Sequence, residues 1–522
     1  MEQKTLSSAK KFLLTGKSAK FSLLSLLVLL NLVIRIPSIP HEKGYDSFFI
    51  HSLANSISIF GDAQWWVHWL SAFGFYAYSY ASAVPFILSG MHQLMGIEME
   101  IVILLYCIII GIISIFTAYV LAGRLSSSFI FKYGVALFFS IAPGVMLFST
   151  WEVSTRGLFI ILLPLFIYLL LSQISLVKKL ILLTLVLIFQ FAVHHYGFFL
   201  IPIIVIYMTI LILEKTGYLK KINPYSAYLL LFLMVLFIGL PFLTRSLVDS
   251  GSRYSWLITS SITIIRQAGP ALLLAMGGFI YTLLKKNKSK KELFILTILI
   301  LFIPAVYSHT YGAYILLLFI ILFTGFSFIN MASLIPQKKL VSLALISIIL
   351  LSVAFGSYFN HNRTGGSDAY WYMQHDTYVA GMWGREYVPD NSYGLDTGFE
   401  TGRVFAISEG HPITPTIGAG NLAYGFITEN EIEYTKKTFL EKDFYFEGPY
   451  VVKGGTTVSG RMEWLRQAVT NIDGLKDFNY VVQDKYRFKP VDRVVSAHYN
   501  KVYDNPRISI WHYKHEGNEN AM

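Results

Sequence analysis

Apolar runs long enough to cross a bilayer constrain this chain more than any other feature. They fall near 21–38, 99–121, 133–150, 157–175, 180–194, 198–213, 226–243, 270–284, 293–308, 311–329 and 339–355. A helix needs about 20 such residues to cross roughly 30 Å of hydrocarbon, and a bilayer interior admits little besides helices and closed barrels. The expectation is a polytopic α-helical membrane unit of about eleven spans over residues 1–355. The charged fraction of 14%, against about 25% in soluble domains, fits that reading.

The net charge of +11 elsewhere suggests nucleic acid, but its distribution gives another cause. Up to Phe355 there are 25 Lys+Arg against 10 Asp+Glu, and from Gly356 onward 17 against 21. With the amino terminus in the cytoplasm, nineteen basic residues fall on the inner side, from Lys4 to Lys339. Only Arg35, Lys43, Arg156, Arg245, Arg253 and Arg266 fall outside. Basic residues near span ends set orientation, so an N-in topology is expected, and no nucleic-acid partner. The first span has no small-residue cleavage site after it and reads as a retained anchor. The single cysteine, Cys107, lies inside an apolar run and excludes an internal disulfide.

Under this topology His41, His51, His68, His92, His194, His195 and His309 all lie at outer ends, with Trp65, Trp66, Trp69, Trp151 and Trp256. Aromatic belts normally mark both interfaces, so a one-sided cluster points to a ligand on the outer face. Long outer loops with more room for such residues are the plainer explanation.

The first outer connection, from His41 to Glu98, opens with "GYDSFFIHSLANS". Ser47, His51, Asn55 and Ser58 recur at helical spacing opposite Phe49, Leu53, Ile57 and Phe60, which predicts an amphipathic helix lying in the interface. Asp46 stands at its start, where an N-cap is the simplest role. The second outer connection, "STWEVSTRG", supplies Glu152 two spans later on the same side, either as a solvated partner of Arg156 or as a second acid near Asp46. Two carboxylates at one boundary suffice to hold Mg2+ or Mn2+, with substrate and water completing the shell. "FAVHHYGFF" places His194 and His195 at the end of a span, as belt residues or as contacts to a ligand. The segment with Arg245, Arg253 and Arg266 can grip phosphate through forked hydrogen bonds or touch lipid headgroups.

From Gly356 the composition becomes that of a soluble domain, 356–522, placed outside the cell. "GRVFAIS", "NYVVQDKYRF" and "RISIWHYKH" read as strands and "GRMEWLRQAVTNI" as a helix, giving mixed α and β. "HNRT" at Asn362 is an acceptor sequon.

Together "YDSFF", "WWVHW", "YSYASAVP", the acid of the second loop and the soluble domain after a polytopic unit resemble the GT-C glycosyltransferases. Within that superfamily the chain is most similar to the catalytic subunits of archaeal oligosaccharyltransferases. "DTYVAGMWGREYVPDNSYGLDTGF" resembles the family's helix leading into its WWDxG segment, here with Trp383 on the helix and Gly394 and Leu395 in place of the tryptophan pair before Asp396.

The resemblance implies an inverting transfer of a sugar from a polyprenyl phosphate or diphosphate donor to an outer-face acceptor, a protein or a glycan. It implies Asp46 as catalyst, Asp46 and Glu152 as holders of the divalent metal, and Arg245, Arg253, His194 and His195 near the donor phosphate or sugar. Asp396 and Trp383 would stand near the acceptor. A transporter or flippase of an anionic lipid is the competing reading. Coupled transport places ionisable groups or broken helices at mid-membrane, and the runs hold no Asp or Glu in their interiors.

Overall fold

A computed structural model describes residues 16–243, 255–308, 312–334, 339–361, 371–389, 392, 394–396, 400–411, 418–425, 429–435, 449–452, 479–485, 496 and 498–514. Arg245, Arg253, His309, the Asn362 sequon, the helix expected at "GRMEWLRQAVTNI" and the end of the WWDxG-like segment lie outside the described residues.

Each of the eleven apolar runs contains helix where described. Among the described residues, seven helices are long and apolar enough to cross a membrane: Met99–Leu125, Leu176–Val193, His195–Lys215, Tyr218–Gly239, Ile258–Leu284, Gly312–Leu334 and Lys339–Tyr358. The chain is a multi-pass membrane protein. The other four runs make shorter helices, and proline accounts for two of them. Pro143 begins a separate turn, Pro143–Met146, after Phe129–Ser140, and Pro304 lies in Ile303–Ser308 after Lys290–Leu301. A proline lacks the N–H that would continue the preceding helix but suits the first turn of a new one.

Seven helices are labelled in chain order. They are α1 (Lys17–Val33), α2 (Tyr45–Phe60), α3 (Met99–Leu125), α4 (Thr155–Leu171), α5 (Lys339–His361), α6 (His375–Tyr387) and α7 (Thr401–Ile407). α3 has 27 residues and so runs about 40 Å, with Glu100 at one end and Arg124 at the other. At the Arg124 end the lysine-bearing loops meet. Lys291 donates to the Arg124 carbonyl, Lys290 pairs with Glu214 at 3.0 Å, and Lys288 N–H donates to Asn223 at 3.1 Å. The histidines and acids of the first connection gather at the Glu100 end.

Arg35, expected in an outer connection, is instead wholly buried at the end of the first apolar run. Its guanidinium donates to Asn31 Oδ1 (2.6 Å), Ser149 Oγ (3.1 Å) and the Ser140 carbonyl (2.9 Å). Burial of a guanidinium is tolerated only with such partners. Gly111 makes the space, since a Cβ there would lie 2.0 Å from Arg35 Nε.

α2 does not lie in the interface with one face to water, as its pattern suggests. Ile50 and Ala54 join the core of the membrane unit. Phe48 packs on Met373, Ala406 and Ile407, and Leu53 and Ile57 pack with Ala419 and Leu422, so the C-terminal part covers its other side. Its polar stripe is used in the same contact. Asn55 donates to the Ala406 carbonyl and Tyr424 to that of Ser52, both at 2.8 Å. Fully burying Phe48 and Leu53 contributes about 1.5–3 kcal/mol each.

The C-terminal part holds a four-stranded sheet from β1 (Gly394–Asp396), β4 (Tyr480–Asp484), β5 (Tyr499–Asp504) and β6 (Ile508–Tyr513) in the order β1-β4-β6-β5. β1 runs parallel to β4, and the other pairs are antiparallel. β2 (Ile432–Tyr434) and β3 (Tyr450–Val452) form a separate antiparallel pair. The strands expected at "NYVVQDKYRF" and "RISIWHYKH" become β4 and β6, but "GRVFAIS" is α7. Four consecutive residues there, Val404 to Ile407, are buried between α2 and α6, so tertiary contact overrides strand propensity.

Candidate active site

Three short segments interlock at the start of α2. Lys43 N–H donates to the Trp151 carbonyl (3.1 Å), Gly44 N–H to that of Trp371 (3.0 Å), and Met373 N–H to that of Glu42 (3.0 Å). The Val153 N–H is bonded by Ser47 Oγ at 3.0 Å. The first outer connection, the second, and the chain after the last membrane helix thus share one junction.

Two backbone features set Glu152 in it. Trp151 adopts φ +60°, a left-handed conformation costly for a bulky residue, and is held there by its indole N–H on the Glu100 carbonyl at 3.1 Å. Gly44 has φ +90°, and a Cβ there would lie 2.7 Å from Glu152 Cδ. Glycine is needed for both the turn and the seat.

Asp46 and Glu152 line one cavity of about 330 Å³ with Tyr45, Arg156, Arg266 and Trp371. Thr263, Gln267, Tyr314 and Asn360 complete its polar wall, and Pro143, Leu147 and Phe148 its apolar one. The two acids, from separate connections, line the same cavity. Their partners differ from those expected. Asp46 is not the N-cap, which is Gly44; it sits in the first turn, where a helix still favours negative charge, and its Oδ2 takes a close hydrogen bond from Arg156. Glu152 is not a solvated partner of Arg156. It is 4% exposed, accepts Trp371 Nε1–H at 2.9 Å and lies 3.9 Å from Lys43 Nζ. Lys43, equally buried, also donates to the Asn360 carbonyl at the end of α5.

The divalent ion implied by the resemblance requires carboxylate oxygens turned toward a common centre. Asp46 Oδ2 is engaged by Arg156, and Glu152 Oε2 by Trp371 beside Lys43. Among the described residues no group of three His, Cys, Asp or Glu is arranged to hold an ion. As they stand, the two acids do not fit a metal.

The other expected site residues scatter. His194 caps the short helix His195–Phe199, accepting the Tyr196 N–H at 3.1 Å, and its ring lies 4.0 Å from that of His195; neither lines the cavity. Of the arginine segment, Arg266 does line it. Trp383 packs on Tyr503 and Tyr387 at 5.1 and 5.4 Å, against the core of the C-terminal sheet. Asp396 occupies β1 opposite Val482. Sequence reasoning missed the roles of Lys43, Tyr314 and Trp371. For Trp371 a signal exists, the aromatic "YWY" shortly after the last span.

A second acidic cluster lies near α2, away from the cavity. Glu42, fully buried, accepts from His51 at 2.8 Å, and its N–H donates to Glu100 at 2.9 Å. Glu100 meets His41 at 3.1 Å, and His41 meets His375 at 3.2 Å. Burial pushes the Glu42 carboxyl up, with His51 opposing. Burial works against a charge on His51, yet the Glu42 carboxylate prevails and raises it. A pocket of about 10 Å³, room for one water, adjoins the cluster, walled by His51, His92, Glu98, Glu100, Arg385 and Glu409. Arg385 bonds Glu98 at 3.1 Å and holds its carboxyl below the ordinary range.

No protein-family model and no curated protein sequence matches the chain. Solved structures do. The oligosaccharyltransferase of Archaeoglobus fulgidus, tethered to an acceptor peptide containing the NVT sequon, superposes with a TM-score of 0.58 at 12% identity, over 94% of this chain and 73% of that one. Its apo form gives 0.57 at 13%, over 90% and 70%. Arabinofuranosyltransferase AftD from Mycobacteria gives 0.53 at 12%, over 94% of this chain and 41% of its own. The chain has the fold of the GT-C glycosyltransferases. At such identity the likeness establishes fold, and chemistry has to come from the cavity.

Proposed function

We propose that this protein transfers a sugar or oligosaccharide from a polyprenyl phosphate or diphosphate donor to an acceptor on the outer face of the membrane. The observation that carries the reading is the convergence of Asp46 and Glu152 in one cavity with Arg156 and Arg266, at the end of α3 away from the clustered lysines. An anionic lipid headgroup reaching that end meets two guanidiniums, which recognise phosphate oxygens through planar forks.

The chemistry follows from the charges. Asp46, in the first turn of α2, accepts the proton of the acceptor nucleophile. The nucleophile bonds to the anomeric carbon on the face opposite the phosphate. The carbon–oxygen bond to phosphate breaks, its electron pair leaves on the phosphate oxygen, and the configuration inverts. Arg156 and Arg266 stabilise that developing charge, which fixed cations in a walled site do more effectively than water. Glu152, fixed by Trp371 and Lys43, orients the substrate from the opposite wall. No step is assigned to a divalent ion, since both carboxylates already face cations of the chain.

A protein acceptor, and an outward-facing C-terminal domain to meet it, belong to the same proposal. They are supported by the resemblance of the Asp396 segment and by the position of the C-terminal part over α2. Trp383, held in the core, is assigned a structural role.

The test is mass spectrometry of lipid-linked sugars and surface glycoconjugates in cells lacking the gene. Accumulated lipid-linked sugar with bare acceptors is the expected result. The same bare acceptors with the donor stranded on the inner leaflet would point to a flippase instead, and unchanged acceptors would overturn the proposal.

A further inference from the structure

Each acid at the cavity wall is matched by a cation of the chain itself. Arg156 engages Asp46 Oδ2. Lys43 lies 3.9 Å from Glu152 Oε2 with its side chain 1% exposed, and it also donates to the Asn360 carbonyl. An arginine does not deprotonate in proteins. Among the described residues the site holds Asp46 and Glu152 against Lys43, Arg156 and Arg266, a surplus of one positive charge, which a divalent ion would raise to three.

We infer that Arg156 and Lys43 are built-in counter-charges in place of a divalent ion, and that this site works without metal. The inference rests on the proposed transfer reaction and assigns the two cations separate tasks. Lys43 is a positioning residue: it holds Glu152 in place without reaching the cavity. Arg156 touches the reacting groups. As the acceptor's proton passes to Asp46 that carboxylate is neutralised, its hold on Arg156 weakens, and the guanidinium turns to the phosphate oxygen that has just received the electron pair of the broken bond. Proton and charge are conserved at each stage, with no co-reactant beyond donor and acceptor.

Mn2+ is the probe, measured by electron paramagnetic resonance on the full-length protein in nanodiscs, with transfer assayed in parallel under chelation. The wild-type chain is expected to leave Mn2+ free and to keep its transfer rate with chelator present. Arg156→Gln and Lys43→Met are each expected to raise Mn2+ affinity by about tenfold or more, the scale on which one neighbouring charge moves an ionic equilibrium. Should Lys43→Met fail to fold, the more accessible Arg156→Gln and the wild-type measurements carry the decision. Tight Mn2+ binding by the wild type that Asp46→Asn abolishes, or chelator-sensitive transfer restored by Mg2+, would overturn the inference. So would an Arg156→Gln chain that gains no Mn2+. Absence of transfer from any polyprenyl-linked sugar would defeat the proposed function instead, while the Mn2+ measurements would still decide the counter-charges.

Discussion

The two acidic clusters beside α2 are built on opposite plans. In the cavity, Asp46 and Glu152 meet Arg156 and Lys43, and the arginine keeps its charge across the physiological range. In the sealed cluster, Glu42 and Glu100 meet His51 and His41, and the Glu42 carboxylate raises His51 from its ordinary value. One side sets its carboxylates against cations and opens to a cavity of about 330 Å³; the other has room for a single water and bridges the first connection, α3 and α6. On the proposed function the first is the catalytic site, while the second joins the membrane and C-terminal parts through His51, Glu42, Glu100, His41 and His375.

The largest effect that separates them is on turnover. Arg156→Gln should lower transfer about a hundredfold, the usual loss when one fixed stabiliser of developing charge is removed, while His51→Gln should stay within about threefold at constant pH. Comparable losses in both would break the contrast. A smaller effect sharpens it: Trp371→Phe keeps the ring beside Tyr45, with which it packs edge-on at 5.6 Å, but loses the bond to Glu152. A hydrogen bond to a charged group contributes about 1.5–3 kcal/mol, so kcat should fall roughly tenfold with KM little changed.

The sealed cluster should show itself in stability. Glu42 and His51 are both raised from their ordinary values of 4.5 and 6.5, so in that window the folded chain binds more protons than the unfolded one. Stability then falls as pH rises. The melting temperature should decline as pH rises above 6.5, where the unfolded chain has lost the proton that folded His51 still holds, and His51→Gln should flatten that decline. Glu98, depressed by Arg385, works the other way: its contribution is lost as pH falls below the ordinary 4.5. The smallest effect is expected at Trp383, where Trp383→Leu should cost about 1–3 kcal/mol in thermal unfolding and leave the transfer rate of the folded protein unchanged.

Much of this was legible in the sequence because membranes make simple demands. Apolar runs announced their helices, and counting spans returned Asp46 and Glu152 to one boundary. What stayed hidden depended on contacts distant in sequence. Trp371 stands 219 positions from Glu152, and only the folded junction brings them together. Arg156 looked like a neighbour for Glu152 because the two are close in sequence, but the left-handed turn at Trp151 sends Glu152 toward Gly44 while Arg156 projects from α4 toward Asp46. The amphipathic pattern of α2 was read correctly as a helix and wrongly as a surface, because a stripe of Ser, His and Asn suits a protein interface as well as a wet one. "GRVFAIS" failed for a related reason: short apolar runs do not distinguish strand from buried helix.

The most direct measurement is transfer of labelled sugar from a short-chain farnesyl-linked donor by the purified full-length chain, wild type against Asp46→Asn. The wild type should release farnesyl phosphate or diphosphate and label its acceptor, and the variant should bind the donor equally well yet transfer at least about a hundredfold more slowly. Equal transfer by both would contradict the assignment of Asp46 as the proton acceptor at the reacting centre, and with it the catalytic reading of the cavity.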